Sequence, residues 1–380
     1  MYAMLGQFLQ PIVSVIMTFV MSLATLFGTA GAVTTREPAE FDNVKNVIYL
    51  IGDGMGPLHL EKTKQERSVS LVMDTFEIQG RSRTRSLSAA VTDSAAGGTA
   101  LACGTRTFNG ALGVYMYDPL RTVTQPKSIT ELCAENGMMT GVITTDNTSG
   151  ATPSAFTVHT DSRSNTEDID TQQMASDFDL IWGVTSKYVS KEGCEANGFN
   201  YVTTYSEMMA LEEGSRSFAQ FDHKLWGLEQ ANDETPTLSQ MTAKAIDLLD
   251  DTDEGFFLMV EGAHIDKNSH NNEDAGMTEA VEEFDNAVAV ALEYAKNDGE
   301  TLVVVTADHE TGGIVLNDDG TYSYTQGGHS AANVPLLVYG SENFIENGEV
   351  VDNIDIPTRI AFSLGFTAEQ FPVAAPGKFS

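Results

Sequence analysis

The feature that most constrains the fold is the alternation of short apolar runs with longer amphipathic segments. Helical patterns cover Ser128–Asn136, the stretch from Thr235 to Asp250, and Thr278–Lys296. Strands that alternate with helices in this way build a largely parallel sheet with helices on both faces, so the predicted fold class is α/β. The runs with the composition of strands buried on both faces are Val47–Ile51, Gly141–Thr145, Phe256–Val260, Leu302–Thr306 and Pro335–Tyr339.

The 380-residue chain reads as one such domain behind an N-terminal leader. Residues 1–32 contain no charged residue, and the mostly apolar Pro11–Phe27 precedes the small residues at 30–32. This pattern predicts a secretory signal peptide and a periplasmic or extracellular protein. Because the leader lacks basic residues, an uncleaved N-terminal anchor and a misassigned start codon are alternatives. Residues 33–380 are predicted to form the domain, with residues 161–232 as a surface insertion.

Charge and cysteine content exclude several classes of protein. The net charge is −33, with 54 acidic and 21 basic residues, and such a surface repels nucleic acids and anionic membranes. The acidic excess fits adaptation to high salt or simple solubility equally well. The three cysteines, Cys103, Cys133 and Cys194, allow at most one internal disulfide, and none belongs to a C-x-x-C pair. This argues against a thiolate zinc site.

Metal-ligand side chains follow several of the predicted strands. Asp53 follows the first run, Glu261 follows Phe256–Val260, and Asp308 and His309 follow the fourth run closely. In open parallel sheets, ligands bind beyond the carboxyl ends of the strands, so these residues are expected to meet at one edge. A phosphate-binding glycine turn around Asp53 is disfavoured, because a carboxylate among the glycines would repel a phosphate unless a cation lay between them.

Segment 261–270 carries further ligand types. Asp266 and His270 are four residues apart and would share one face of a helix, which suits Zn²⁺. Glu261 suits a harder ion such as Mg²⁺. The alternative is a solvated acidic loop. Of the seven histidines, His270, His309 and His329 are assigned to metal. The other four are expected to be structural or surface groups, namely His59, His159, His223 and His264.

Ser94, Thr152 and Arg163 are candidates for handling a tetrahedral anion. Ser94 precedes a helical run of small residues, and a helix N-terminus stabilises negative charge, so Ser94 is a candidate nucleophile activated by an ion. Its alternative role is that of an N-cap. Thr152 offers a hydroxyl to a hard cation. Arg163 offers a bidentate clamp for two oxygens, with a surface salt bridge as the alternative.

Together these segments resemble the alkaline phosphatase family. The matching pieces occur in the family's order over residues 44–340, and they surround Asp53, Ser94, Thr152 with Arg163, Glu261–His270, Asp308–His309 and His329. The resemblance implies a single α/β catalytic domain with a central sheet, a secreted homodimer, and two Zn²⁺ and one Mg²⁺ per subunit.

The resemblance also implies a role for each matching residue. The first zinc would be held by Asp266, His270 and His329. The second would be held by Asp53, Asp308 and His309, with Ser94 as its exchangeable ligand. Magnesium would be held by Asp53, Thr152 and Glu261. Arg163 would grip the phosphate, and Lys267 would contact it through water.

One position departs from the family. The residue before Ala151 is usually an aspartate or histidine that reaches the magnesium shell through water, and here it is Gly150. Losing such an outer partner commonly weakens metal binding. Lys267 would also lack its usual acidic partner, so magnesium affinity, metal preference and pH optimum are expected to be affected. The short segment between His309 and His329 predicts a compact version of the fold, with a reduced interface or lid region.

The implied function is hydrolysis of small-molecule phosphate monoesters through a phosphoserine intermediate, with broad leaving-group specificity. One alternative is a related phosphodiesterase or sulfatase-like metallohydrolase. Against it, Ser94 lacks the sulfatase C/S-x-P-x-R context, and the magnesium-type residues Thr152 and Glu261 are both present. The other alternative is a non-catalytic, secreted metal-binding protein, whose ligand set would be expected to be incomplete.

Overall fold

The computed structural model describes residues 42–118, 121–222 and 234–371. The predicted leader at residues 1–32 lies outside the described residues, and so does His223. Among the helices that are described, none combines the length and the apolar character needed to cross a lipid bilayer.

A large central sheet organises the described residues. The strands of the described residues are β1 (Asn46–Gly52), β2 (Ile78–Arg83), β3 (Tyr115–Asp118), β4 (Arg121–Thr124), β5 (Met139–Asn147), β6 (Leu180–Val184), β7 (Asn200–Val202), β8 (Ser217–Phe221), β9 (Phe256–Gly262), β10 (Thr301–Thr306), β11 (Glu310–Thr311), β12 (Val315–Leu316), β13 (Tyr322–Ser323), β14 (His329–Ser330), β15 (Val334–Tyr339) and β16 (Val350–Asp352). Ten of them form the central sheet, in the order β16-β2-β15-β10-β1-β9-β5-β6-β8-β7. The pairs β3–β4, β11–β14 and β12–β13 form small separate sheets.

The α/β prediction is confirmed. All five predicted apolar runs are strands of the central sheet, and β10, β1, β9 and β5 lie side by side and parallel. The last run, β15, pairs antiparallel with both β10 and β2. Periodicity alone does not specify strand direction, because direction depends on how the preceding connection returns to the sheet.

The helices cover both faces of this sheet. They are α1 (Pro57–Arg67), α2 (Ser94–Cys103), α3 (Ile129–Glu135), α4 (Ala151–Thr157), α5 (Thr166–Met174), α6 (Lys191–Ala196), α7 (Tyr205–Met209), α8 (Leu238–Leu249), α9 (His264–His270), α10 (Asp274–Asp298) and α11 (Asp355–Ser363), with a 3₁₀ turn at Val72–Thr75. The predicted helix after Thr235 begins later, because Thr237 caps α8 through a capping box with Gln240.

The strands formed by the five predicted apolar runs are largely buried on both faces, as their composition predicts. Along β1, Ile48 and Leu50 join a core cluster with α8 and α10, whereas Val47, Tyr49 and Ile51 join a second cluster on the opposite face. Alternate side chains of a strand point to opposite faces, so a continuous apolar run fills two cores.

Residues 161–222, which belong to the segment predicted as a surface insertion, extend the sheet. Strands β6, β8 and β7 continue it in parallel beyond β5. A small apolar cluster that includes Phe199, Phe218 and Cys194 packs there. All three cysteines are buried.

Candidate metal centre

Four parallel strands deliver polar side chains to the same edge of the sheet. Ile51 of β1 lies opposite both Thr306 of β10 and Glu261 of β9, and Glu261 lies opposite Thr144 of β5. These strands therefore end in register, and the segments that follow them meet. The expectation that the candidate ligands converge at one edge agrees with this geometry.

The first cluster joins helix α9 to strand β14. Asp266 Oδ2 lies 3.3 Å from His270 Nε2, and Asp266 Oδ1 lies 3.6 Å from His329 Nε2. The two histidine Nε2 atoms are 3.1 Å apart. Ligands at the corners of a tetrahedral zinc site are separated by about 3.3 Å, given zinc–ligand bonds of about 2.0–2.1 Å. The measured spacings match that requirement.

The second cluster surrounds Nε2 of His309. This nitrogen lies 3.1 Å from Ser94 Oγ, 3.1 Å from Asp308 Oδ2 and 3.6 Å from Asp53 Oδ1. Within the described residues, the ligand atoms of Asp53, Asp308 and His309 lie within 4.8 Å of one another, and so do those of Asp266, His309 and His329. The imidazole of His309 thus links the two clusters.

Two buried oxygen atoms show that a cation fits the second cluster. Asp53 Oδ1 and Asp308 Oδ2 are buried without a hydrogen-bond partner in the structure, although both face His309. An unpartnered buried carboxylate oxygen is costly, and a bound cation removes that cost. The residues present therefore suit a divalent ion.

The charges of the cluster agree with this conclusion. Burial, and then the charge of Asp308, raises the pKa of Asp53 well above its ordinary value. Burial, and then the charge of Asp266, raises the pKa of Asp308 to about 7. Burial also lowers the pKa of His309, which favours the neutral imidazole that metals bind. Crowded carboxylates beside a neutral histidine suit a cation, which would offset the repulsion between their charges.

The ligand side chains are oriented by partners that the sequence did not single out. Thr311 donates a hydrogen bond from Oγ1 to Asp266 Oδ1, and Thr311 Oγ1 also lies 3.2 Å from His309 Nδ1. His329 Nδ1 is 2.9 Å from the Thr92 carbonyl oxygen, and His270 Nδ1 is 2.7 Å from that of Gly327. Such contacts leave Nε2 of each ring for a metal. The only hint of this role in the sequence is that Thr311 stands three residues after the candidate ligand Asp308.

A third group lies between β5, β9 and α4. Thr152 donates a hydrogen bond of 3.3 Å to Asp53 Oδ2, which connects it to the second cluster. Glu261 is buried and accepts a hydrogen bond from Thr144 Oγ1. Burial, and then the charge of Asp146, raises the pKa of Glu261 to about 8. These oxygen atoms are the kind that Mg²⁺ prefers.

Ser94 is the first residue of α2 and not its cap. The cap is Asp93, whose Oδ1 accepts a hydrogen bond of 3.0 Å from the amide of Ala96. Ser94 Oγ is therefore left to face His309. Arg163 Nη1 lies 3.3 Å from Asp93 Oδ2, and 41% of the Arg163 side chain is exposed. The guanidinium thus stands at the open side of the cluster.

Lys267 has an acidic partner that does not lie at position 150. Its Nζ forms an ion pair with Oδ1 of Asp146, near the end of β5. Three candidate carboxylate ligands, Asp53, Glu261 and Asp308, are indicated by the apolar runs that they follow. Asp146 follows Gly141–Thr145 in the same way, so the same pattern could have indicated it. The acidic residue usual in the family is absent at position 150, and Asp146 is the acidic partner of Lys267 in this chain.

The turn after β1 requires glycine at position 54. Gly54 has φ of +73°, and a Cβ there would lie 2.8 Å from both Cα and Cβ of Asp266. Gly54 also donates its N–H to Asp308 Oδ1 at 3.1 Å. A bare backbone is thus needed where the turn touches two candidate ligands.

Comparisons with known proteins point to one family. The family model described as alkaline phosphatase matches residues 44–191 and 185–353. Alkaline phosphatase 4 of Bacillus subtilis strain 168 is 33% identical over 306 residues, which cover 73% of this chain. Alkaline phosphatase of Escherichia coli K12 is 30% identical over 333 residues, covering 70% of each chain. The match spans only 64% of the length of the Bacillus protein.

Solved structures of alkaline phosphatases resemble this chain as well. Alkaline phosphatase from the Antarctic bacterium TAB5 superposes with a TM-score of 0.72 at 31% identity, covering 86% of this chain and 99% of that chain. A variant of the same enzyme was solved with Mg bound in its M3 site.

Proposed function

The chain belongs to the alkaline phosphatase family, and we propose that it hydrolyses phosphate monoesters to an alcohol and inorganic phosphate, with little leaving-group selectivity. The observation that carries this proposal is the placement of Ser94. Its hydroxyl lies 3.1 Å from His309 Nε2, at the N-terminus of α2 and beside two clusters of metal-ligand atoms. Family membership adds independent support.

The side chains that would hold the ions follow the clusters. Two Zn²⁺ would be held by Asp266, His270 and His329, and by Asp53, Asp308 and His309 with Ser94. One Mg²⁺ would be held by Asp53, Thr152 and Glu261, and the TAB5 variant with bound Mg supports this third site. When bound, such ions supply Lewis acidity, which activates a hydroxyl and stabilises negative oxygen atoms.

Ser94 would act as the nucleophile. Its oxygen attacks phosphorus after losing its proton to water, and a serine–phosphate bond forms while the bond from phosphorus to the ester oxygen breaks. The departing oxygen takes a proton from water. A water molecule then attacks the phosphoserine, which releases phosphate and restores the hydroxyl. The free amides at the start of α2 favour the negative phosphoryl group at this place.

Arg163 and Lys267 would bind the substrate. The guanidinium of Arg163, held by Asp93, would pair with two equatorial oxygens of the phosphoryl group. Lys267, in its ion pair with Asp146, would contact the phosphate through water. Neither contact involves the alcohol portion of the ester, which is the physical reason to expect low leaving-group selectivity.

The experiment that tests this function is turnover of a generic aryl phosphate by the purified protein. We expect hydrolysis that a chelator abolishes and that Zn²⁺ with Mg²⁺ restores. Faster turnover of an aryl phosphodiester or sulfate ester than of the monoester would replace the proposal with the related metallohydrolase. Absence of all three activities in metal-loaded protein would leave a non-catalytic metal-binding protein.

We also propose that the protein acts outside the cytoplasm, in the periplasm or extracellular space, as a homodimer. The uncharged apolar leader at residues 1–32 supports export. The dimer rests on the family resemblance. N-terminal sequencing of exported protein tests the first statement, and light scattering of the purified protein tests the second.

A further inference from the structure

The last three residues before Asn147 in β5 each contact a different part of the metal centre. Thr144 donates its hydroxyl to Glu261 Oε2. Thr145 Oγ1 accepts a hydrogen bond of 2.9 Å from the amide of Ala263, just before α9. Asp146 pairs with Lys267. The end of this one strand therefore touches the Glu261 group, the start of the ligand helix and the lysine beside Asp266.

Asp146 is held in place by its own surroundings. Its amide donates a hydrogen bond of 2.8 Å to Thr144 Oγ1, the same hydroxyl that contacts Glu261. Its Oδ1 accepts a hydrogen bond of 2.7 Å from the amide of Asn147 and also receives Lys267 Nζ. The carboxylate is thus fixed by a local turn before it meets the lysine. A short hydrogen-bonded path joins the backbone amide of Asp146, through Thr144 Oγ1, to Glu261.

The carboxylate of Asp146 occupies the space that a side chain at position 150 would fill. A Cβ on Gly150 would lie 2.8 Å from Asp146 Oδ2 and 2.9 Å from the carbonyl oxygen of Asn147. Gly150 has φ of −54°, which any residue adopts, so its backbone does not require glycine. Asp146 Oδ2 and the Asn147 carbonyl oxygen together leave no room for a Cβ at this position. The two positions are sterically coupled.

We propose that Asp146 is a positioning residue that replaces, from the end of β5, the acidic group that Gly150 does not supply. It orients the ammonium group of Lys267 toward the phosphate and adds negative charge next to Glu261, where a hard cation would bind. This inference rests on the proposed phosphate-hydrolysing function of the same site. Position 150 departs from the family pattern because it is glycine. The acidic group that replaces the missing side chain would be Asp146, four residues earlier.

The first test measures inorganic phosphate binding to the metal-loaded protein by calorimetry. Asp146→Asn keeps a carbonyl oxygen for the Asn147 amide but removes the charge, and we expect roughly tenfold weaker phosphate binding. Lys267→Gln should have a similar effect. Because the two residues act as a pair, the double variant should bind no more weakly than the weaker single variant. Unchanged binding in Asp146→Asn, or effects that multiply in the double variant, would overturn the proposal.

The second test titrates Mg²⁺ into zinc-loaded protein. Asp146→Asn should weaken Mg²⁺ binding by about tenfold or more, as loss of an outer-shell partner does, and should leave the zinc content unchanged. Equal Mg²⁺ affinity in the variant and the parent would contradict the compensation. Asp146→Glu, which keeps the charge, should lie closer to the parent in both titrations, and a Glu variant as weak as the Asn variant would also count against the proposal.

The matched control is Asp247→Asn on α8. Asp247 Oδ2 pairs with Lys244 Nζ at 2.8 Å, so the change removes one charge and one ion pair away from the site. Phosphate and Mg²⁺ binding should stay at the parent level. Neither titration requires turnover. A parent protein that does not hydrolyse aryl phosphate would therefore refute the proposed function, whereas an active parent with an unaffected Asp146→Asn variant would refute the role of Asp146 alone.

Discussion

Arg163 Nη1 lies 3.3 Å from Oδ2 of Asp93, the residue that immediately precedes Ser94. The same carboxylate accepts a hydrogen bond of 3.0 Å from the amide of Gly110, and its other oxygen caps α2. One side chain therefore contacts both the start of the helix that carries the proposed nucleophile and the guanidinium that is proposed to bind the phosphate. Nucleophile and clamp are positioned as a unit.

Replacing Ser94 with alanine should reduce turnover of an aryl phosphate by at least about a hundredfold, because the attacking oxygen is removed. The measurement is kcat for metal-loaded protein. Ser190→Ala is a suitable control, since Ser190 also stands at the start of a helix, α6, where it caps the amide of Gly193 at 3.1 Å. That variant should keep full activity. A Ser94→Ala variant within about tenfold of the parent would exclude Ser94 as the nucleophile.

Replacing Arg163 with alanine should weaken inhibition by inorganic phosphate by about tenfold to a hundredfold, which is the contribution of hydrogen bonds to a charged group. The inhibition constant at constant salt is the measurement. Arg67→Ala removes the same charge from an ion pair with Glu282 and serves as the control. An unchanged inhibition constant in Arg163→Ala, or an equal change in both variants, would argue against the clamp.

Alanine at Gly54 should destabilise the fold by about 2–4 kcal/mol and lower the zinc content, because strain at positive φ adds to overlap with Asp266. Gly299→Ala separates these causes. Gly299 has φ of +82° at the end of α10, and a Cβ there meets nothing within 4 Å. The control should cost about 1 kcal/mol and leave zinc unchanged. Urea unfolding and metal analysis of both variants provide the comparison; equal zinc loss in both would refute the steric explanation.

His159 and Glu131 form a pH-dependent contact away from the metal ligands. His159 Nε2 lies 2.8 Å from Glu131 Oε1. Burial alone would lower the pKa of His159, but the hydrogen bond and charge of Glu131 outweigh it and raise that pKa above its ordinary value. Burial of Glu131 is likewise outweighed by His159, so the pKa of Glu131 is lowered.

A raised histidine pKa contributes stability that is fully present below the unfolded value of about 6.5 and is lost as pH rises through the folded value. A lowered glutamate pKa contributes stability above the unfolded value of about 4.3, and this is lost as pH falls. His159→Gln should therefore lose more stability relative to the parent at pH ~6 than at pH ~9. Urea unfolding at both pH values checks this, and an equal loss at both would contradict it.

Local sequence patterns were enough to predict five strands of the central sheet, the main helices and the candidate ligands. Val47–Ile51 is apolar at every position, which predicts a central strand buried on both faces. A polar residue that follows such a parallel strand lies at the edge of the sheet where ligands bind. Asp53, Glu261 and Asp308 were found in this way, because the signal lies within a few consecutive residues.

The contacts between groups far apart in the chain could be learned only from the three-dimensional fold. It made Asp93 and not Ser94 the cap of α2, turned β15 antiparallel, brought Thr311 onto Asp266, and gave Lys267 the carboxylate of Asp146. Each outcome depends on strand register and on the path of a loop between segments far apart in the chain. Local periodicity predicts the face of the strand or helix on which a side chain lies. It does not predict strand register or the path of a loop, and therefore not the residue that the side chain contacts.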